Sequence, residues 1–302
     1  MRLTRDKLTL AQVNRSIAKR RNDFALRAAT RRTWQILRKT DPVPVDAEGP
    51  VEVHYQVCHH HLIMAIAAAK SFYRFSPERF PLVIHEDGSL TDADTALIRD
   101  QFPGAHIHSR ADADRDVGEE LERRGAKRCL SLRKSLVFAI RLFNVIVLAP
   151  GKRVLQLDPD VIFLRRPEEL ISAMVCGEEA WRERYLLDVR PAYTWSLDQV
   201  LQHTGIHMEP QFNAGLVLMR RDADSVDLYE RCLEMPVDDL YYLEQTLSAI
   251  DSSRRGASPL PPEYDAWSRL MRNGGGERVS HHCLPLDFHR HFTEEVGPAL
   301  LG

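Results

Sequence analysis

The sequence predicts an α/β fold: a mostly parallel sheet flanked on both faces by helices, with a basic helical extension in front of it. Three observations predict this. From residue 51 to 164, short strand-like runs take turns with longer runs of helical spacing, the pattern of parallel strands joined through helices. The apolar strand Val154, Leu155, Leu157 ends in two carboxylates, Asp158 and Asp160, at the kind of sheet edge where α/β proteins place ligands. Residues 1–40 hold 12 lysines and arginines against only Asp6 and Asp23, a net charge of +10 that the rest of the chain offsets with −12.

In the extension, Leu10, Val13 and Ile17, then Phe24, Leu26, Trp34, Ile36 and Leu37, recur at spacings compatible with helix. A basic amphipathic segment with a tryptophan suits an anionic membrane surface. The alternative is a solvated helix docked on its own acidic body or on a second copy, giving self-association. Nucleic acid is not expected, because no nucleic-acid fold signature accompanies the charge. The proline-rich segment from Thr40 to Pro50 reads as a linker. The chain therefore divides into an extension with linker, 1–50, and a globular domain, 51–302.

Within the domain, Val51 to Val57 alternates apolar and polar residues, as a first strand does. Leu62 to Phe75 has helical spacing and many alanines. Phe80 to His85 is a second strand stopped by Glu86-Asp87-Gly88. Thr91 caps a helix running to Phe102. Ala105 to His108 is a third strand, residues 110–127 a charged surface helix, and Leu132 to Leu148 one long apolar helix ended by Pro150-Gly151. The carboxylate strand follows, then a helix after Pro167 and an aromatic segment with Trp181, Tyr185, Tyr193 and Trp195. A strand at 214–219 and helices at 222–234 and 239–250 come next. The tail from 251 shows little regular pattern.

Bulk properties exclude other classes. With 44% hydrophobic and 28% charged residues, the 302-residue chain has a soluble globular composition. No apolar run approaches the ~20 residues needed to span a bilayer. The opening Met-Arg-Leu-Thr-Arg-Asp-Lys has no apolar signal core. The five cysteines are scattered with no Cys-x-x-Cys pair, which fits a reducing compartment. The expectation is a cytoplasmic protein, with the basic extension offering peripheral contact on the inner membrane face.

Several residue sets bear on chemistry. Asp158 and Asp160 are hard oxygen ligands suited to Mn²⁺ or Mg²⁺, which retain sites for a substrate's phosphates; the alternative is a plain Asp-Pro turn. Ala214 and Gly215 at a strand start allow close approach of a ligand to the backbone, and Asn213 offers a donor and an acceptor to a hydroxyl. Glu244 and Gln245 lie in an amphipathic helix where either one suits a base or a carbonyl stabiliser. His281 or His282, the former slightly preferred, would complete a metal site; His289 and His291 lie beyond. Arg133 and Lys134, at the front of the helix expected over 132–148, oppose the helix dipole and so suggest an anion held there; the alternative is a surface pair facing the acidic body. Of His59, His60 and His61, at most one is expected to touch a ligand, and His59 is the candidate.

The order of these parts resembles the GT-A glycosyltransferases, and most of all glycosyltransferase family 8. That family carries a strand ending in Asp-x-Asp, matched by Leu157-Asp-Pro-Asp160, and a Phe-Asn-(Ala/Ser)-Gly segment some fifty residues later, matched by Phe212-Asn-Ala-Gly215. An Asp-Gln pair is matched by Glu244-Gln245, and a late histidine by His281 or His282. The resemblance covers roughly residues 51–292. It implies a UDP-sugar donor, a divalent metal bridging protein and diphosphate, and sugar transfer with retention to a glycan, glycolipid or protein. Glu244 departs from the family's Asp, and its C-terminal Lys-Pro-Trp is absent. Two rival readings are a nucleotidyltransferase, disfavoured because residues 51–62 contain no glycine, and a non-catalytic protein of the same fold that binds through its basic helix.

Overall fold

The computed structural model describes residues 10–189, 192–266 and 278–301. In chain order the elements are α1 (Leu10–Leu37), β1 (Val51–Val57), α2 (Leu62–Tyr73), β2 (Leu82–Glu86), α3 (Asp92–Gln101), β3 (His106–His108), α4 (Arg110–Arg123), α5 (Lys127–Ser135), α6 (Ala139–Leu148) and β4 (Arg153–Leu157). Then come β5 (Val161–Phe163), α7 (Glu168–Val175), β6 (Arg184–Leu187), α8 (Leu197–Thr204), β7 (Phe212–Arg220), α9 (Ala223–Cys232) and α10 (Leu243–Arg254). Finally β8 (Ser258–Pro259), β9 (Tyr264–Ala266), β10 (Ser280–His282), α11 (Pro285–His291) and α12 (Gly297–Leu301) complete the chain.

Seven strands form the main sheet in the order β3-β2-β1-β4-β7-β6-β8, and β5-β10-β9 form a small second sheet. The pairs β3–β2, β2–β1 and β1–β4 are parallel. β7 enters antiparallel between β4 and β6. The chain moves outward from β1 through β2 to β3, then returns to lay β4 on the other side of β1. That reversal creates a switch point between β1 and β4, and the crevice beyond the carboxyl ends of such strands is a natural ligand site. Apolar layers cover both faces: α2, β5 and α11 contribute to one, and α6, α9 and α10 to the other. The run Ala67-Ala68-Ala69 is buried, and such small side chains let α2 lie close against the sheet.

Three expectations are corrected. The single helix expected over 132–148 is two helices, because Leu136 takes an extended conformation (φ −119°, ψ 116°). The break exposes Val137 and Phe138, and Gln56 Nε2 anchors it by donating to Val137 O at 3.0 Å. The tail from 251, expected to show little regular pattern, supplies among its described residues three strands, two α-helices and a π-helical turn at Phe292–Val296, the strands being only two or three residues long and so too short to show periodicity. β6 and α8 went unread, although Ser196 and Gln199 form a capping box that marks the start of α8.

The extension docks on the domain. Thr30 and Thr33 Oγ1 lie 3.1 and 2.8 Å from the two ring nitrogens of His289, and Leu37 is buried in the core. The following segment is stitched down by Val43 N to Gln101 O, Val45 N to Pro103 O and Asp46 N to Arg79 O. Trp34, in a segment the sequence left open between a membrane surface and the protein's own body, packs against the core. No described helix is long and apolar enough to cross a membrane.

Candidate functional site

Asp158 and Asp160 flank a tight turn at the end of β4. Val161 N donates to Asp158 O at 3.1 Å, with Pro159 at the second turn position, where its fixed φ fits. The expected Asp-Pro turn is thus present, and it sets both carboxylates at the sheet edge. The turn carries the chain out of the main sheet and into β5 of the small one. β5 pairs antiparallel with β10, with His282 opposite Val161.

That register decides between the two histidines. Neighbouring strand residues face opposite ways, so only one can meet the carboxylates. His282 does: its Nε2 lies 3.2 Å from Asp160 Oδ1 and 3.7 Å from Asp158 Oδ2. His281 turns away, to Arg278 (3.0 Å) and His291 (3.3 Å). The slight sequence preference for His281 is therefore reversed. Among the described residues, Asp158, Asp160 and His282 are the one group of three or more such side chains whose ligating atoms lie within 4.8 Å of one another.

The site's second layer fixes the imidazole. His282 Nδ1 donates to Asn213 Oδ1 at 3.0 Å, which leaves Nε2 with its lone pair toward the carboxylates, the usual orientation of a metal-binding histidine. Asn213 is held in turn: its Oδ1 accepts from Gly215 N at 2.9 Å and its Nδ2 donates to Asp188 Oδ2 at 2.9 Å. Gly215 makes the approach possible. A Cβ there would lie 2.5 Å from His282 Cε1 and closer still to Nδ1. Burial disfavours charge on His282, yet the carboxylates of Asp160 and Asp158 outweigh it and raise the imidazole above its ordinary value. A site that draws a proton this way is short of positive charge, which a divalent cation would supply.

A buried arginine completes the wall. Arg141, on α6, ion-pairs through Nη1 with Asp158 Oδ1 and through Nη2 with Glu244 Oε2 at 2.7 Å. Glu244 is buried, and its Oε1 has no hydrogen-bond partner. Burial pushes its carboxyl above the ordinary range, with Arg141 pulling the other way. Gln245 accepts from Ala214 N at 3.3 Å and donates to Ala192 O at 3.1 Å. These groups line one cavity of about 750 Å³ together with Asp188, Cys58 and His61. Its mouth is aromatic: Phe138 and Tyr241 meet edge to face at 6.0 Å.

The structure brings together Asp158, Asp160, His282, Asn213, Ala214, Gly215, Glu244 and Gln245. It leaves out three others. Arg133 is buried against Asn144 Oδ1 (3.2 Å) and Asp114 (2.7 Å). With Lys134 it occupies the last turn of α5, so neither stands at a helix N-terminus; near a C-terminus a cation suits the dipole. His59 is turned to Asp94, 2.7 Å away, and largely exposed; its neighbours Cys58 and His61 face the cavity instead. Two residues were missed. Arg141 had a signal, being the one charged residue between Ser135 and Gly151. Asp188 had none.

No protein-family model and no curated protein matches the sequence. Solved structures do match. A bifunctional glycosyltransferase, WbbM, in apo form, is 14% identical over 81% of this chain and 49% of its own, with a TM-score of 0.54. This chain thus spans about half of its length. Mouse xyloside xylosyltransferase 1, also apo, is 12% identical over 80% of this chain and 98% of its own, with a TM-score of 0.50. These likenesses establish the fold: the chain is a GT-A α/β protein with a mostly parallel sheet flanked by helices.

Proposed function

We propose that this protein is a metal-dependent glycosyltransferase, related to glycosyltransferase family 8, that moves a sugar with retention from a UDP-sugar to a glycan, glycolipid or protein acceptor. The observation that carries the proposal is the convergence of Asp158, Asp160 and a tautomer-fixed His282 beside the buried Arg141–Glu244 pair, in one cavity at the switch point of the sheet. The two structural likenesses, both to glycosyltransferases, support it.

Asp158 Oδ2, Asp160 and His282 Nε2 would hold Mn²⁺ or Mg²⁺. Two carboxylates and an imidazole fit such an ion, and Asp158 keeps Oδ2 for it because Arg141 occupies Oδ1. When bound, the ion supplies Lewis-acid neutralisation of the leaving diphosphate. Arg141 adds a fixed cation at the same edge, its charge held by Asp158 and Glu244 despite burial. Asn213, Ala214 and Gly215 form a wall whose small residues at 214 and 215 would let a donor sugar approach closely, while Asn213 holds His282 in place. The sugar carbon gains positive character as its bond to diphosphate breaks. Glu244 Oε1, without a partner, and Gln245 Oε1 are the wall's acceptors able to face that charge. In the front-side reading of retention, the departing oxygen takes the acceptor's proton as the new bond forms on the same face, and Cys58, Asp188 and Glu244 line the wall without a covalent role.

A panel of UDP-sugars tested with and without Mn²⁺, with donor hydrolysis and UDP release as the readout, examines this. One donor turned over with metal, and lost on Asp160→Ala, is the expected result. Turnover at the normal rate in Asp160→Ala, or binding only of nucleoside triphosphates, refutes it.

A further inference from the structure

We propose that α1, together with the start of α11, forms a face that docks on an anionic lipid bilayer. The proposal does not depend on the transfer reaction. α1 is fixed to the domain along one side, through Thr30, Thr33, Ile36 and Leu37. Its other side is exposed. Phe24, Arg27 and Arg31 follow one another at spacings of three and four, so they share a stripe. Arg32, Arg38 and Lys39 are exposed as well.

Two features of the stripe are unusual. Phe24 is 76% exposed, the most exposed large hydrophobic side chain among the described residues. None of Arg27, Arg31, Arg32, Arg38 and Lys39 forms an ion pair with any described residue, although the chain beyond residue 40 carries a net charge of −12. The ordinary reason for a cationic row, pairing with the protein's own acids, is therefore missing. A phenyl ring within a cationic stripe is the composition of a segment that lies in a membrane interface, the ring among acyl chains and the arginines at lipid phosphates. A nucleic acid could stack on the ring, but it offers no apolar phase to the exposed Leu284 and Leu286 on the helix packed against α1; a second copy covering these side chains is separated from the bilayer by the test below.

A second apolar patch lies on α11, the helix packed against α1. Leu284 and Leu286 are exposed at the beginning of α11, the helix that packs on α1 through His289. Leu284 follows His282 by two residues, so this edge of the protein runs directly into the cavity.

The test is sedimentation of the full chain with phosphatidylcholine vesicles, with and without about 30 mol % phosphatidylglycerol, near physiological salt. The expected result is binding to the anionic vesicles only, released by raising salt as screening shortens. Each arginine near the surface contributes about fivefold, so Arg27→Gln with Arg31→Gln should weaken partitioning about 25-fold. Phe24→Ser should weaken it with charge unchanged. These side chains are exposed, so melting temperature should not move. Equal binding to both vesicles, no binding, or indifference to the substitutions overturns the proposal. So does a chain that self-associates, or binds duplex DNA, through the same arginines while ignoring vesicles.

Discussion

The tightest physical constraint in the cavity is the space above Gly215, and Gly215→Ala tests it. The added Cβ would stand 2.5 Å from His282 Cε1 and 2.9 Å from Asn213 Oδ1. Ordinary van der Waals contact begins near 3.4 Å, so the imidazole must retreat by about 0.9 Å. Metal–ligand distances tolerate only about 0.2 Å. The substitution should therefore take Nε2 off the ion while leaving all three ligand residues present. Disturbing a ligand's orienting partners typically costs 10- to 100-fold in metal affinity, or about 1.4–2.8 kcal/mol. Overpacking adds about 1–3 kcal/mol of destabilisation, which a melt in EDTA reads separately. Titration calorimetry with Mn²⁺ measures the first quantity. Gly215→Ala should bind at least tenfold more weakly than the parent, and His282→Ala should weaken binding at least as much. A Gly215→Ala protein that binds Mn²⁺ like the parent, while His282→Ala does not, would show that the backbone yields and that the glycine is dispensable.

Three further outcomes follow from buried charge. Arg141→Met strands Glu244 and frees Asp158, which should cost about 3–5 kcal/mol; adding Glu244→Gln should recover part of the melting temperature but none of the transfer activity. Arg221 is buried between Glu183 (2.6 Å) and Asp251 (3.0 Å), so Arg221→Met should lower the melting temperature by roughly 10 °C through the same mechanism, far more than loss of an exposed arginine such as Arg123. Burial holds His289 down at about 4. The folded protein then keeps this ring neutral where the unfolded chain takes a proton near 6.5, so stability is intact above pH 6.5 and falls as pH drops toward 4, by about 3 kcal/mol in all. Denaturant melts across that range should show a shallower decline in His289→Gln, and an unchanged slope refutes the assignment.

Much of this site was legible because its chemistry is local in sequence. Asp158 and Asp160 advertise themselves at the end of an apolar strand, and Asn213 to Gly215 at the start of another, so spacing and polarity were enough. What failed needed the third dimension. Choosing His282 over His281 requires knowing which face of β10 looks at the carboxylates, and a three-residue strand hidden in a tail shows no period. Assigning Arg133 to a helix start required seeing that Leu136 interrupts the helix, and no proline or glycine marks that break. Arg141 was readable as a lone charge in an apolar helix, yet its partners, Asp158 and Glu244, lie 17 and 103 residues away.

The same geometry explains why the site should respond as a unit. Asp158 closes a strand of the main sheet, and Asp160 opens a strand of the small one. His282 belongs to the small sheet and hydrogen-bonds Asn213 of the main sheet. The three proposed ligands thus straddle the seam between two sheets, and the His282–Asn213 bond crosses it a second time. Arg141 and Glu244 tie the same turn to α6 and α10 on one face. On the proposed reading, a cation held here would pull the two sheets together at the point where a diphosphate would bind. Removing Asn213's side-chain carbonyl would leave every ligand in place yet loosen both the imidazole's tautomer and the seam. On the proposed reading, the site's preorganisation would therefore rest on a residue that has no need to touch a bound metal.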